Sequence, residues 1–383
     1  MKGNNFGKRA LVAHKLLRGK VSVEPKAKVK TKDDLSIYYT PGVGTVSTYL
    51  AEHKEKVSEY TMKGNMVAIV SDGSAVLGLG NIGPEGAIPV MEGKAMLFKA
   101  LGGVDAFPIV LATQDTEAII ETVKNIAPIF GGINLEDISA PRCFEIEKRL
   151  QEELNIPVIH DDQHGTAMVV LAGIINAFKV VKKDIKKSTI VIAGAGAAGQ
   201  AIADLLILFG VGNIIMVDSR GIISSKRSDL DTHKSALLKR TNRDDVDGDL
   251  GVALSGADAF IGVSKGNTLT ATHIQNMAPQ SIVFALANPI PEIMPDVAKK
   301  AGAYVIATGR SDFENQVNNS LGFPGIFRGA LDHRVRRITD EMLMNASKNL
   351  ANLVSKPTAH LILPNAFDKR VVPAVARAIK EKK

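Results

Sequence analysis

The stretch STIVIAGAGAAGQAIADLLILFGVGNIIMVDSRG, residues 188–221, constrains this chain more than any other. An apolar run, TIVIA, leads straight into Gly194, Gly196 and Gly199 in G-x-G-x-x-G spacing, and an apolar helix-like segment follows. Glycine is required where the chain turns sharply and where a pyrophosphate comes so near the backbone that a Cβ would collide. A helix opening there aims its free N–H groups and its dipole at the phosphates, so Gly194, Gly196, Ala197, Ala198 and Gly199 are the expected phosphate cradle. Asp218 closes the next strand, NIIMVD, close to the ~20-residue offset at which an acid reads the ribose. Its charge opposes a 2′-phosphate and favours NAD, while Arg220, two residues on, is placed to accommodate that phosphate and keeps NADP open. Strand, glycine turn, helix and acid in this order predict a doubly wound, Rossmann-like NAD(P)-binding domain.

At 383 residues the chain is too long for one ordinary core, so a second domain is expected. Upstream of the glycine turn, strand-like and helical runs alternate. Residues 66–83 read as a strand, a turn at Asp72-Gly73, a second short strand and a Gly-rich loop. A helix follows from about Pro89 to Gly102-Gly103. Strands at 106–113, 131–137 and 156–162 alternate with helices at 115–130 and 140–154, and a further helix begins near Gly165. This order predicts an N-terminal parallel α/β domain over residues 1–163. The NAD(P)-binding domain is expected over 164–340, with strands near 257–264, 281–288 and 303–309 and a charged insertion at 224–250. Residues 341–383 read as helices packing back on the first domain.

Composition narrows the function classes. Residues 1–32 hold ten Lys and Arg against Glu24 alone, whereas the remaining 351 residues carry 37 basic and 39 acidic groups. The basic arm has no interleaved aromatics and no nucleic-acid reading motif, so it is expected to be solvated or to pack between subunits. No apolar stretch reaches the ~20 residues of a membrane span, and the N-terminus lacks the apolar core of a secretory signal. The single cysteine, Cys143, excludes an internal disulfide and suits a reducing cytoplasm.

Two consecutive predicted strands end in acids, Glu136-Asp137 and Asp161-Asp162. Neighbouring parallel strands end on one sheet edge, where ligands sit in open α/β folds. Either pair alone reads as a helix start or a solvated turn. Both at matching strand ends would repel unless a cation joined them, and oxygen donors suit Mg²⁺ or Mn²⁺. His160 and His164 flank the second pair, but a lone histidine there is more often structural, and both are left outside the metal set.

With these residues in view, the chain resembles the malic enzyme family in its short bacterial and archaeal form. The resemblance runs nearly end to end, through DLSIYYTPGVG, SDGSAVLGLGNIGPEGAIPVMEGKAMLFKALGG, INLEDISAPRCFEIE, IPVIHDDQHGTA, FALANPIPEI, NQVNNSLGFPGIFRGALD and FDKRVVPAVARAI. It implies oxidation of L-malate by NAD(P)⁺, decarboxylation assisted by a divalent metal, and release of pyruvate. Tyr39 then matches the acid that protonates the enol carbon, and Lys94 the base that takes the C2 hydroxyl proton. A lysine can serve only if burial or positive charge lowers its pKa. Glu136, Asp137 and Asp162 match the metal ligands, with Asp161 supporting them or assisting the base. Asn288 and Asn319 match amides that contact substrate, Asn288 lying beside the cofactor as well. A homodimer is implied, with a site that draws on both subunits left open.

One position departs from the longer relatives, which place a malate-gripping arginine two residues after the Asp-Gly; here it is Ala75. The N-terminal extension of those relatives is absent too. Two competing readings are carried forward. One is a redox-neutral malolactic or oxaloacetate-decarboxylating enzyme with tightly held NAD. The other is a non-catalytic nucleotide sensor whose basic arm binds nucleic acid.

Overall fold

Short runs of buried Val, Ile, Leu and Ala supply two parallel sheets, as expected of strands covered on both faces. The computed structural model describes residues 6–76 and 79–381. The first sheet comprises β1 (Met66–Ser71), β2 (Asp105–Val110), β3 (Gly132–Leu135) and β4 (Val158–His160), in the order β2-β1-β3-β4. The second comprises β5 (Thr189–Ala193), β6 (Asn213–Asp218), β7 (Gly221–Ile222), β8 (Ala259–Gly262), β9 (Ile282–Ala285) and β10 (Val305–Thr308), in the order β10-β9-β8-β5-β6-β7. Every pairing is parallel except the hairpin between β6 and β7. The architecture is the predicted α/β class. In each sheet the strand order reverses beside the first strand laid down, β1 or β5, and the crevice at such a reversal is where open sheets bind ligands.

One helix, Asp161–Val181, joins the two halves, and 15 of its 21 residues are buried. Met168, Leu171 and Ile174 share one apolar cluster with Ile69 of the first sheet and Ile192 of the second. This helix starts at Asp161, four residues before the position expected from Gly165. β4 ends at His160 and runs into it without a loop, so Asp161 and Asp162 form a helical first turn and do not end the strand. Acids are favoured there by the free N–H groups and positive dipole end. The added turn makes the helix long and apolar enough by composition to cross a membrane, but 72% of its most apolar window is buried inside the protein.

Two other boundaries differ from expectation. The helix ending at Gly102 begins at Gly83, so Pro89 lies inside it. Buried Ala87 and Met91 hold that turn on the core, a tertiary gain that outweighs the poor propensity of Gly86 and Pro89. The second short strand expected before Gly80 is present only as an isolated Val76–Gly80 bridge; residues 77 and 78 lie outside the described residues. At the C-terminus, the helix Asp340–Asn352 packs on Asp161–Val181, and Val371–Ala376 packs on Phe323–Asp332, which itself rests on Gly83–Gly102 and β3.

The N-terminal helices Phe6–Leu17, Lys32–Tyr38, Gly42–Glu52 and Val57–Tyr60 contain no buried residue. Leu11, Leu16, Val23 and Tyr39 are among the large apolar side chains they and their connections leave exposed.

Candidate active site

At the carboxyl edge of the first sheet, three elements converge. The helix Gly83–Gly102 turns Lys94 inward, the end of β3 delivers Glu136 and Asp137, and the first turn after β4 delivers Asp161 and Asp162. Lys94 is only 6% exposed. Its Nζ donates to Glu136 Oε2 at 2.5 Å and to Asp161 Oδ2, and it stands 4.4 Å from the centroid of the Phe323 ring. Asn134 Nδ2 donates to the same Glu136 oxygen at 2.9 Å, and Asn319 Nδ2 to Asp161 Oδ2 at 2.6 Å.

Asp137 and Asp162 complete the edge. The Asp137 N–H donates to Asp162 Oδ2 at 2.9 Å, while its carbonyl accepts from the Ala75 N–H at 2.9 Å. This bend holds Asp137 at φ 54°, the left-handed region that aspartate and asparagine tolerate better than most residues. Glu136, Asp137 and Asp162 each present an oxygen, and the three lie within 4.8 Å of one another. Three hard donors at this spacing, with Asp162 partly open to solvent, fit a divalent cation of the Mg²⁺ or Mn²⁺ kind.

Four carboxylates face one ammonium here, and the electrostatics follow from that imbalance. Burial pushes the Asp161 carboxyl up to about 6, with Lys94 pulling the other way. Burial raises Glu136 as well, against the attraction of Lys94 and with help from Asp162. For Lys94 burial alone would lower the pKa, but Asp161, Glu136 and Asp162 together raise it above its ordinary value. The lowered pKa required of a lysine base is therefore not a property of the lysine pocket by itself.

A cavity of about 420 Å³ opens beside this cluster and reaches the second sheet. Its walls include Asp137, Asp162, Asn288, Asn319 and the Gly196–Ala198 turn, which brings the metal, substrate and phosphate candidates around one space. Among the described residues lining it there is no lysine or arginine, and Ala75 is part of the wall. The three glycines of the turn divide their work. A Cβ on Gly194, which has φ 123°, would lie 2.8 Å from Val263 O, and one on Gly199 would lie 1.7 Å from Gly194 O. A Cβ on Gly196 would meet nothing within 4 Å, so this glycine clears space for a ligand and not for the protein. Ala197 and Ala198 open the helix Ala197–Phe209, whose free N–H groups face that space. Asp218 lies further along, in a second cavity of about 800 Å³ that also begins at the glycine turn.

Tyr39 stands apart. It is 65% exposed, at the end of the helix Lys32–Tyr38, and no described contact joins it to Lys94 or the acids. The histidines stay outside the three-acid set. His164 Nε2 lies 3.0 Å from Glu147 Oε1, and the same buried carboxylate accepts from the His160 backbone N–H and Gln163 Nε2. His160 is buried with neither ring nitrogen hydrogen-bonded, its Nδ1 3.8 Å from Asp162 Oδ2.

Several residues around the site carried no reading from the sequence. Gly165 is the clearest, because a Cβ there would sit 1.8 Å from Asp161 Oδ1. Asn134, a polar residue inside an apolar strand, was a visible signal. Glu147 was not, since its partners lie 13 to 17 residues away.

Comparison with known proteins agrees with this geometry. The family model for the malic enzyme N-terminal domain matches residues 18–151, and that for the malic enzyme NAD binding domain matches residues 163–382. The chain is 54% identical to the bifunctional malic/malolactic enzyme of Bacillus subtilis, over 97% of this chain and 91% of that one. It is 53% identical to the NAD-dependent malic enzyme of Geobacillus stearothermophilus, over 98% of this chain and 79% of that one. The solved structure of the NAD-dependent malic enzyme of Thermotoga maritima superposes with a TM-score of 0.94 at 50% identity, covering 97% of this chain and 98% of that chain. With two family models spanning almost its whole length and relatives 54% and 53% identical over nearly all of it, the chain belongs to the malic enzyme family.

Proposed function

We infer that the protein oxidises L-malate with NAD(P)⁺ and decarboxylates the product to pyruvate, assisted by a divalent metal. The observation that carries this reading is the buried Lys94 held between Glu136 and Asp161, beside a three-carboxylate set of which Asp137 and Asp162 line one cavity with the glycine turn. Glu136, Asp137 and Asp162 would hold the Mg²⁺ or Mn²⁺, which would supply Lewis-acid polarisation of the C2 oxygen and a sink for negative charge during decarboxylation. Gly196, Ala197, Ala198 and Asn288 would hold the nicotinamide dinucleotide on the wall opposite the acids, and the bound cofactor would supply the hydride acceptor.

Lys94 takes the C2 hydroxyl proton. A cation on the three acids would offset the Glu136 and Asp162 share of the field that keeps it protonated, leaving burial to favour the neutral amine against Asp161 alone. Asp161, hydrogen-bonded to Lys94 Nζ, is placed to relay that proton onward. Asn319 fixes Asp161 through its amide and, with Asn288, offers N–H donors to a substrate carboxylate. Those amides do what Ala75 cannot.

Tyr39 protonates the enol carbon from a second copy of the chain. An exposed tyrosine on an arm without buried residues is unproductive in one subunit, and the arm's exposed Leu11, Leu16 and Val23 need covering. We therefore read the protein as a homodimer. The division at residues 163/164 and 340/341 follows the same logic, with malate and metal on the first part and NAD(P) on the second; the tail helices, expected on the first part, pack on Asp161–Val181 and Phe323–Asp332. A cytoplasmic setting agrees with the one buried thiol.

The malolactic reading keeps support from the name of the Bacillus subtilis relative. Incubation with malate, Mn²⁺ and either dinucleotide separates the two. Accumulating reduced nicotinamide together with pyruvate supports the oxidative reading; lactate without reduced nicotinamide supports the other; no malate consumption refutes both.

A further inference from the structure

The second cavity holds a feature that the Proposed function leaves unused. Asp218, where an acid would read the ribose, has no acceptor to spare. Its Oδ1 accepts from Arg227 Nη1 at 2.7 Å and from the Arg220 N–H at 2.9 Å. Its Oδ2 accepts from Arg227 Nη2 at 3.1 Å and from Lys234 Nζ at 2.8 Å. A carboxylate offers about four lone-pair positions, and all are taken. Arg227 is gripped from its other side by Asp229, through Nε at 2.9 Å and Nη2 at 2.7 Å. The Arg220 guanidinium touches Asp229 at 2.8 Å, but its side chain is 70% exposed and free to swing into the cavity it lines.

Ribose hydroxyls would have to displace a bidentate, charge-assisted pair to reach Asp218, and neutral donors compete poorly with guanidinium. A phosphate can be met by Arg220, whose guanidinium is engaged only through Nη1, whereas the five Arg227 N–H groups are already taken by Asp218, Asp229 and the Gly221 carbonyl. At this end of the cavity Arg220, Arg227 and Lys234 outnumber Asp218 and Asp229. The other acids on the wall are engaged elsewhere, Asp247 by the Ser224 hydroxyl and Asp249 as the cap of the helix Leu250–Leu254. We propose that Arg220, with the Arg227 charge locked behind it by Asp218 and Asp229, forms a recognition site for a 2′-phosphate, so that the pocket binds 2′-phosphorylated adenosine in preference to the unphosphorylated form. Asp218 is then a positioning residue for the arginine fork and does not read the ribose.

The inference rests on reading this cavity as the dinucleotide site, and its test needs neither malate nor metal. The intact protein is titrated calorimetrically with adenosine 2′,5′-bisphosphate and with adenosine 5′-monophosphate. The bisphosphate is expected to bind about ten- to a hundredfold more tightly, the scale of one or two hydrogen bonds to a charged group, and the advantage should shrink with added salt. Arg220→Ser, a change at an exposed side chain, should remove most of that advantage while monophosphate affinity changes little. Arg227→Gln should abolish it and strengthen monophosphate binding, because Asp218 is released. Equal or tighter binding of the monophosphate would overturn the proposal, as would an Asp218→Asn variant that loses monophosphate affinity more than bisphosphate affinity. Either of those results leaves malate turnover with NAD⁺ intact. Failure of both nucleotides to bind would overturn the dinucleotide reading of the cavity together with the proposal.

Discussion

Replacing Gly165 by alanine puts a methyl carbon 1.8 Å from Asp161 Oδ1, where ordinary contact begins near 3.4 Å. The Asp161 carboxylate must therefore retreat by roughly 1.6 Å, a shift that no side-chain neighbour can absorb as slack in a close-packed interior. Overpacking of this kind costs about 1–3 kcal/mol. Against it stands the better helix propensity of alanine, about 1 kcal/mol. In the parent background the expected net effect is a loss of up to about 2 kcal/mol. In an Asp161→Ala background the obstacle is gone, and the same change should stabilise by up to about 1 kcal/mol. Urea unfolding of the four proteins closes this cycle, and the change of sign between backgrounds is the diagnostic quantity. Turnover should fall further than stability. Asp161 shares Lys94 with Glu136, and a displacement of about 1 Å at a reacting group costs on the order of a hundredfold. A Gly165→Ala protein that is more stable than the parent and turns over malate within threefold of it would refute the steric argument.

Three further outcomes are expected. Chelation should abolish turnover, and Mn²⁺ should restore it in the parent but not in an Asp162→Ala variant, as read by pyruvate formation after metal add-back. Mixing Tyr39→Phe and Lys94→Ala subunits, each inactive alone, should regain activity on subunit exchange, because a heterodimer with its tyrosine acting in trans contains one intact site; no regain would place both residues in one subunit. Asp218 is pulled down to about 2, its Arg227 and Lys234 hydrogen bonds outweighing burial. A depressed carboxylate contributes stability above its unfolded pKa and loses it as pH falls towards the folded one. Acid unfolding between about pH 4 and 2 should therefore be less steep in Asp218→Asn, as followed by circular dichroism.

The local signals in the sequence carried the second sheet almost whole, because the glycine turn and its acid are fixed by backbone sterics over about 25 residues. The carboxylate pairs were legible for a similar reason, as each follows directly on a buried strand. What was not legible depended on distance along the chain. Whether Asp161 ends a strand or starts a helix is decided by Lys94 and Asn319, which lie 67 and 158 residues away. The turn ahead of Pro89 is held by the core against its own propensity, so its sequence argues the wrong way. Gly165 looked like an ordinary helix glycine until the direction of the Asp161 side chain was known. Tyr39, exposed in this chain, makes no described contact with Lys94 or the acids.

The left-handed bend at Asp137 has a consequence for how this edge tolerates change. Its N–H and carbonyl each tie down a neighbouring segment, at Asp162 and Ala75, so the bend cannot relax without loosening both. Asparagine shares aspartate's ease in this conformation and would preserve the scaffold while discarding a ligand charge. Glutamate would preserve the charge while resisting the bend. The substitution that looks conservative by chemistry is thus the more disruptive one by conformation, and drift at this position is confined by the backbone before electrostatics has any say.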